Sequence, residues 1–339
     1  MKKLWVALLS LFFLAGMLFC CLSCSFGDIK DFNDRVYNGN MQEIYDYYRN
    51  SSQELFLVNN CTTGKEIDIE FSVPVKVTSL EIIPELLIYS IEEGVVVKII
   101  LAETPDPGIK FIVDISVEDD KGKTLCVSVL LQAANNSAPA MLINELRTEY
   151  SSPRTEYIEF FMLTDGNLGG LRVFIASNNN NPVVYEFLPE DVMMGEYVVL
   201  HLRTLDNLHH ADISPGARNF WVPGNTKLLR KTDAVYVLDQ DDRVLCAVMI
   251  SESPDTRWGR AHFEFAADFL FRQGVWTSAN GGIASPLDAV SSAEIRTAAT
   301  RSISRDETVT NTNTKADWYI TVNGGATPGL PNNPHRFVN

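Results

Sequence analysis

The residues best equipped for chemistry lie in three places. His209 and His210 stand side by side in a polar stretch that also holds Asp206 and Asp212. Two imidazoles beside two carboxylates form a donor set that a transition metal accepts. Adjacent residues of a strand point to opposite faces, and a loop sets no geometry of its own, so the spacing by itself preforms no site. Asp114, Glu118, Asp119 and Asp120 gather carboxylates suited to a hard cation, but they fit no EF-hand loop, and a solvated acidic hairpin accounts for them. The third group is the cysteines. Cys20, Cys21 and Cys24 cluster near the start, while Cys61, Cys126 and Cys246 are far apart. With Cys24 set aside, Cys61 and Cys126 fall in one segment and could form a disulfide in an oxidising compartment; three separate buried thiols fit the same spacing. No C-x-x-C, zinc spacing, G-x-S-x-G, H-E-x-x-H or nucleotide-binding glycine motif is present. We therefore expect no cofactor and a non-enzymatic protein. The alternative is a metal-dependent hydrolase using His209, His210 and Asp212.

The start of the chain sets its location. Met1-Lys2-Lys3 is basic, and Leu4 to Phe19 is an apolar run of secretory length, short for a membrane span. Leu22-Ser23-Cys24 resembles a bacterial lipobox, with a small residue before the cysteine to be acylated. The leader and its three cysteines resemble those of spirochaetal lipoproteins. That resemblance implies loss of residues 1–23, acylation of Cys24, and a chain held to a membrane outside the cytoplasm. Ser25 does not resemble an enteric inner-membrane retention signal, which points to the outer membrane, facing either the periplasm or the outside. Residues 24–53 read as a tether in which Met41, Ile44, Tyr45 and Tyr48 would share one face of a short helix.

Charge narrows the partners. The formal net charge is −15, and both halves are acidic: residues 24–139 carry 9 Lys and Arg against 19 Asp and Glu, and residues 140–339 carry 17 against 24. Nucleic acid and anionic lipid need a basic footprint and are disfavoured.

The elements that must position these residues are strands. Ile67–Val73 alternates with period two, Val95–Leu101 is nearly unbroken apolar sequence, and Phe111–Val117 leads through Glu118–Lys123 into Thr124–Leu131. Residues 54–134 resemble a bacterial Ig-like domain of the surface-layer type, carried by IEFSVPV, the Pro107-Gly108 turn and the DDKGKTL hairpin. Residues 135–139, small and ending in proline, read as a linker. From Met141 the runs Met141–Leu146, Glu156–Phe161, Leu171–Ala176, Val183–Phe187 and Tyr197–Leu202 are short strands, and Asp233–Ile250 is a hairpin.

Ile143-Asn144-Glu145, then Glu156-Tyr157-Ile158-Glu159, then Leu168–Ile175 resemble the opening of a lamin-tail domain. Ser302–Arg305, Asp317-Trp318 and Thr327-Pro328-Gly329 with Asn332 resemble its closing signature. The resemblance covers residues 140–333, with 334–339 as tail. It implies an immunoglobulin-like sandwich and no single activity. In that family's closing motif Arg305 and Trp318 match structural positions, a guanidinium stacked on a buried indole. The fold class expected is mainly β: two tandem Ig-like β-sandwich domains, the second with a partly helical insertion.

That insertion, 251–299, is where the chain departs from the family. Trp258, Phe263, Phe265, Phe269, Phe271 and Trp276 crowd into it. Ala261–Arg272 reads as a helix, and Pro286–Ala299 as a second, with Ser285 as its cap. The aromatics are either a satellite core or an exposed partner surface for an envelope or host protein or a glycan. On the second reading, deleting Ser251–Ala299 removes partner capture and leaves the fold intact. The function expected is a lipid-anchored envelope protein presenting β-sandwich domains for protein or carbohydrate binding or as a scaffold.

Overall fold

In a computed structural model the chain is described over residues 55–178, 182–205, 212–295 and 300–338. The leader with Cys24, the 41–48 segment, and His209 and His210 lie outside those residues. The architecture is mainly β, with tandem sandwich units and one α-helix among the described residues. One compact unit is built on 66–102 and 113–129; the other takes 130–339 with the short stretches 62–65 and 103–112.

The first unit contains β1 (Leu57–Thr63), β2 (Glu66–Ile83), β3 (Ile88–Glu92), β4 (Gly94–Leu101), β5 (Lys110–Asp119) and β6 (Thr124–Gln132). The sheet order is β3-β4-β2-β5-β6, and the long strand β2 also pairs β1. The period-two pattern becomes a one-sided core: Ile67, Ile69, Phe71, Val113, Ile115 and Val117 are all buried. The apolar run 95–101 is half-buried and not a two-sided core strand, because Val97, Ile99 and Leu101 point inward while Val95 and Val96 are exposed. The possible disulfide is corrected. Cys61 on β1 and Cys126 on β6 are free, exposed thiols on strands that pair different neighbours, and Cys126 takes a hydrogen bond from Ser116 Oγ at 3.1 Å.

The acidic hairpin explains itself without a cation. Asp119 Oδ1 accepts from the Lys121 and Lys123 amides at 2.9 and 2.8 Å, and Gly122 takes a positive φ of 76°. The same device recurs in the second unit. Asp239 Oδ1 accepts from the Asp241 and Arg243 amides, each at 2.9 Å, and Asp242 takes the left-handed position at φ 59°. Asp239→Ala removes the acceptor that closes its turn. It should lower stability by about 2 kcal/mol in urea unfolding, whereas Asp120→Ala, whose carboxylate closes nothing, should stay within about 0.5 kcal/mol of wild type.

The second unit opens with β7 (Met141–Arg147), β8 (Tyr157–Met162), β9 (Gly166–Asn167), β10 (Arg172–Ile175), β11 (Val183–Glu186), β12 (Asp191–Val192) and β13 (Tyr197–His201). It continues with β14 (Arg218–Trp221), β15 (Asp233–Leu238), β16 (Val244–Ser251), β17 (Val290–Ser291), β18 (Ile303–Arg305) and β19 (Trp318–Ile320). Two main sheets form, β11-β10-β15-β16-β17 and β14-β13-β8-β7-β18-β19. Ile143, Ile158, Phe160, Val173, Val235 and Val248 from both sheets share one hydrophobic core. The strand β14 lies at the end of a stretch read as polar connection and pairs β13 in parallel.

The insertion carries α1 (Ala261–Arg272), as its spacing predicts. Phe263, Ala266, Ala267 and Leu270 form its buried stripe. The expected second helix over 286–299 does not form in the described part. Ser285 and Asp288 make a capping box, but only Pro286–Asp288 turn before the chain extends into β17. Val290 and Ser291 then pair β16 in parallel, so ladder bonds replace helical ones.

Candidate functional site

The groups with the most unusual environment lie on the face of β7 and β8 that points away from the hydrophobic core. Period two puts Ile158, Phe160 and Met162 into the core and Tyr157 and Glu159 on the other side. On β7 the pairing register shifts between Ile143 and Glu145, which lets Ile143 and Leu146 share the core while Glu145 and Arg147 join the far side. Glu145 then stands opposite Glu159, and Arg147 opposite Tyr157. Both glutamates are fully buried.

What covers them is the closing segment. Glu145 Oε1 accepts from Ser302 Oγ at 2.5 Å and Ser304 Oγ at 3.0 Å; Oε2 accepts from Tyr157 OH at 2.5 Å and the Thr327 amide at 3.1 Å. Glu159 accepts from Asn144 Nδ2 at 2.9 Å and from the Gly329 amide at 2.5 Å. Asn332 Nδ2 donates to the carbonyls of Asn144 and Arg305 at 3.1 and 2.9 Å. Arg305 spans Asp317 at 3.5 Å and lies 4.9 Å over the Trp318 ring. Gly329 has no substitute here. Its φ is 77°, and a Cβ would sit 2.5 Å from Ser214 Cβ and 2.7 Å from Ala217 Cβ. The opening and closing motif residues thus form one connected polar clasp.

Burial pushes the Glu145 carboxyl up and pushes Glu159 well above the usual carboxylate range, where the charge on Glu145 adds to the effect. The Tyr157 phenol is raised by burial and then by Glu145. Every oxygen of the pair is taken by a donor from the protein, and neither side chain reaches solvent. A substrate could meet neither group. The arrangement fastens the chain and holds protons.

A second buried string continues along the same face. Arg147 pairs with Asp212 and donates to the Thr155 carbonyl. His201 bridges Thr155 Oγ1 at 3.3 Å and Asn219 Oδ1 at 2.9 Å, and stacks on Trp221. Arg203 pairs with buried Glu156. Asp212, expected beside His209 and His210 as a metal ligand, is instead the counter-ion of a buried guanidinium. Among the described residues no group of three or more His, Cys, Asp or Glu side chains is placed to hold a metal ion. Cys246 is buried, and its thiol is pushed up to about 12, which leaves it unreactive.

The aromatic partner surface is corrected. Trp258, Phe263 and Trp276 belong to the same core as the two sheets, and Trp276 is wholly buried. Trp258 Nε1 donates to the Ala284 carbonyl at 2.9 Å. Phe269 and Phe271 are half-buried, and Phe269 packs against the core ring of Tyr236. Phe265 alone of the six is exposed, at 68 %, stacked on Phe269. The aromatics fasten the helix to the sandwich, so the insertion cannot be deleted with the fold left intact. The sequence reading missed the role of Glu145 and Glu159. Their occurrence in both opening motifs, on strands otherwise apolar, was the available signal.

A family described as a protein second domain, TP_1001, matches residues 139–320. Over 163 residues the chain is 29% identical to a protein of Treponema pallidum (strain Nichols) described as uncharacterized, the match covering 42% of this chain and 42% of that protein's length.

Proposed function

From the premise that this chain belongs to the TP_1001 second-domain family, we propose that it is a lipid-anchored, non-enzymatic envelope protein that presents β-sandwich domains for binding. Cys24 carries the lipid, and the second domain is a lamin-tail-like sandwich. One observation supports the reading above the rest: the ionisable residues of the signature, Glu145 and Glu159, spend all their acceptors on holding the closing segment and leave none for a substrate. A signature made of fold-holding residues leaves recognition to the surface around it. The leader and lipobox favour the envelope, most simply the outer membrane, and the acidic balance disfavours nucleic acid.

The hydrolase alternative needs a carboxylate beside His209 and His210, and Asp212 is engaged by Arg147. Labelling cells with radioactive palmitate tests the anchor. The wild-type chain should take label and partition into the detergent phase, and Cys24→Ala should do neither. An unlabelled wild type, or a Cys24→Ala protein labelled as strongly, would sink the reading.

A further inference from the structure

The chain is acidic as a whole, yet one groove in its second unit reverses the sign. The groove encloses about 780 Å³ between the turn before β15, the end of β16 and the start of α1. Lys227, Arg230, Lys231, Arg257 and Arg260 line it against Glu149, Glu252 and Asp255, a local balance of +2 on a chain of −15. Trp258 and Phe263 give it an apolar base anchored in the core. The volume is that of a small-ligand site.

Two of the cations are already occupied. Lys227 pairs with Glu149 at 3.4 Å and Lys231 with Glu252 at 3.3 Å. Among the described residues, Arg230, Arg257 and Arg260 make no ion pair, and all three are exposed. Exposed guanidiniums without a carboxylate offer planar, paired donors to oxyanions.

The helix adds to this. Arg260 is the residue that precedes α1, and no side chain caps the helix there. The free amides and the positive end of a 12-residue helix therefore open beside Gly259 and Arg260, both of which line the groove. The field is registered by a neighbour. His262 is held below its ordinary value by burial first and then by the charges of Arg260 and Arg230.

We propose that this groove is a binding site for a small polyanion carrying phosphate or sulfate groups. Arg230, Arg257 and Arg260 grip the oxyanions, and the start of α1 supplies backbone donors. The inference rests on the reading of the protein as a binding module, and it gives that module a ligand chemistry. It also explains why the insertion is retained: the helix is pinned by its aromatics so that its open end faces Arg257 and Arg230.

Calorimetric titration of the full-length chain in non-ionic detergent tests it. The probes are inorganic tripolyphosphate, a heparin-derived tetrasaccharide, and uncharged maltotetraose. At least one anion should bind and the neutral sugar should not; the anion that binds more tightly tells phosphate from sulfate. Affinity should fall about tenfold or more between about 0.03 and 0.3 M NaCl, and by a similar factor in Arg257→Gln/Arg260→Gln. Arg272→Gln, an exposed arginine of the same helix outside the groove, should bind as wild type does. Binding of neither anion, equal affinity in the double variant, or an equal loss in Arg272→Gln would overturn the proposal. The palmitate result is independent of all three, so a failed groove and a failed anchor read differently.

Discussion

Glu145→Ala should lower the melting temperature of the second unit by about 10 °C, the loss expected for roughly 3 kcal/mol in a domain of this size. The estimate comes from sorting the donors that Glu145 satisfies. The Ser302 and Ser304 hydroxyls can turn to each other or to Thr321, whose Oγ1 is 3.0 Å from Ser302 Oγ. The Thr327 amide and the Tyr157 hydroxyl have no such choice, and each buried orphan costs about 1–3 kcal/mol. Relief of the repulsion with Glu159 works in the other direction and trims the sum. Glu145→Gln separates shape from charge. Its amide nitrogen can face the two serines, which then accept, while its oxygen still serves Thr327 and Tyr157. That variant should lose only about 1 kcal/mol. If Glu145→Ala melts with the wild type, or Glu145→Gln falls as far as alanine, the clasp does not carry this stability.

Stability of the second unit should rise as pH is lowered from about 8 toward 5, the reverse of ordinary acid denaturation. Three buried carboxyls make the folded chain bind protons that the unfolded chain has released. Glu159 is raised by burial and by Glu145, Glu145 by burial, and Asp233 by burial to about 6 against its bonds from Ser177, Arg230 and Ala234. A carboxyl with a raised folded value contributes its full stability below the unfolded value and loses it as pH climbs through the folded one. For Asp233 that window runs from about 4 to 6 and amounts to roughly 3 kcal/mol. For Glu159 it extends to higher pH. Urea midpoints measured at pH 5.5 and 7.5 should differ in favour of the acid side, and Glu159→Gln should flatten the difference. A midpoint that climbs with pH in the wild type would show that the pair is ionised and the assignment wrong.

Much of this architecture could be read from residue order, and the exceptions have physical reasons. Period two at Ile67–Val73 and the hairpin at Asp233–Ile250 reached the structure unchanged because one side of each strand meets a core. Alternation reports that two sides of a strand differ; it does not say what lies over the polar one. On β7 and β8 that side is roofed by Ser302–Asn332, so Glu145 and Glu159 are interior groups. β14 carries no alternation in Arg218–Trp221 and exists because β13 offers it an edge. The insertion's aromatics have one spacing for two outcomes, and only packing separates a core from a contact surface. The groove cations are scattered from Lys227 to Arg260 and meet only after β15 and β16 have folded back on each other.

The clasp also dictates when this protein can finish folding. Thr327 reaches back 182 positions to Glu145, Gly329 reaches 170 to Glu159, and Asn332 reaches 188 to Asn144. A polypeptide emerging from a ribosome or a translocon exposes its paired acids for nearly the whole of synthesis and can seal them only in its last moments. A chain cut short by ten residues or so would resemble a door without its latch, and quality-control proteases should find it open.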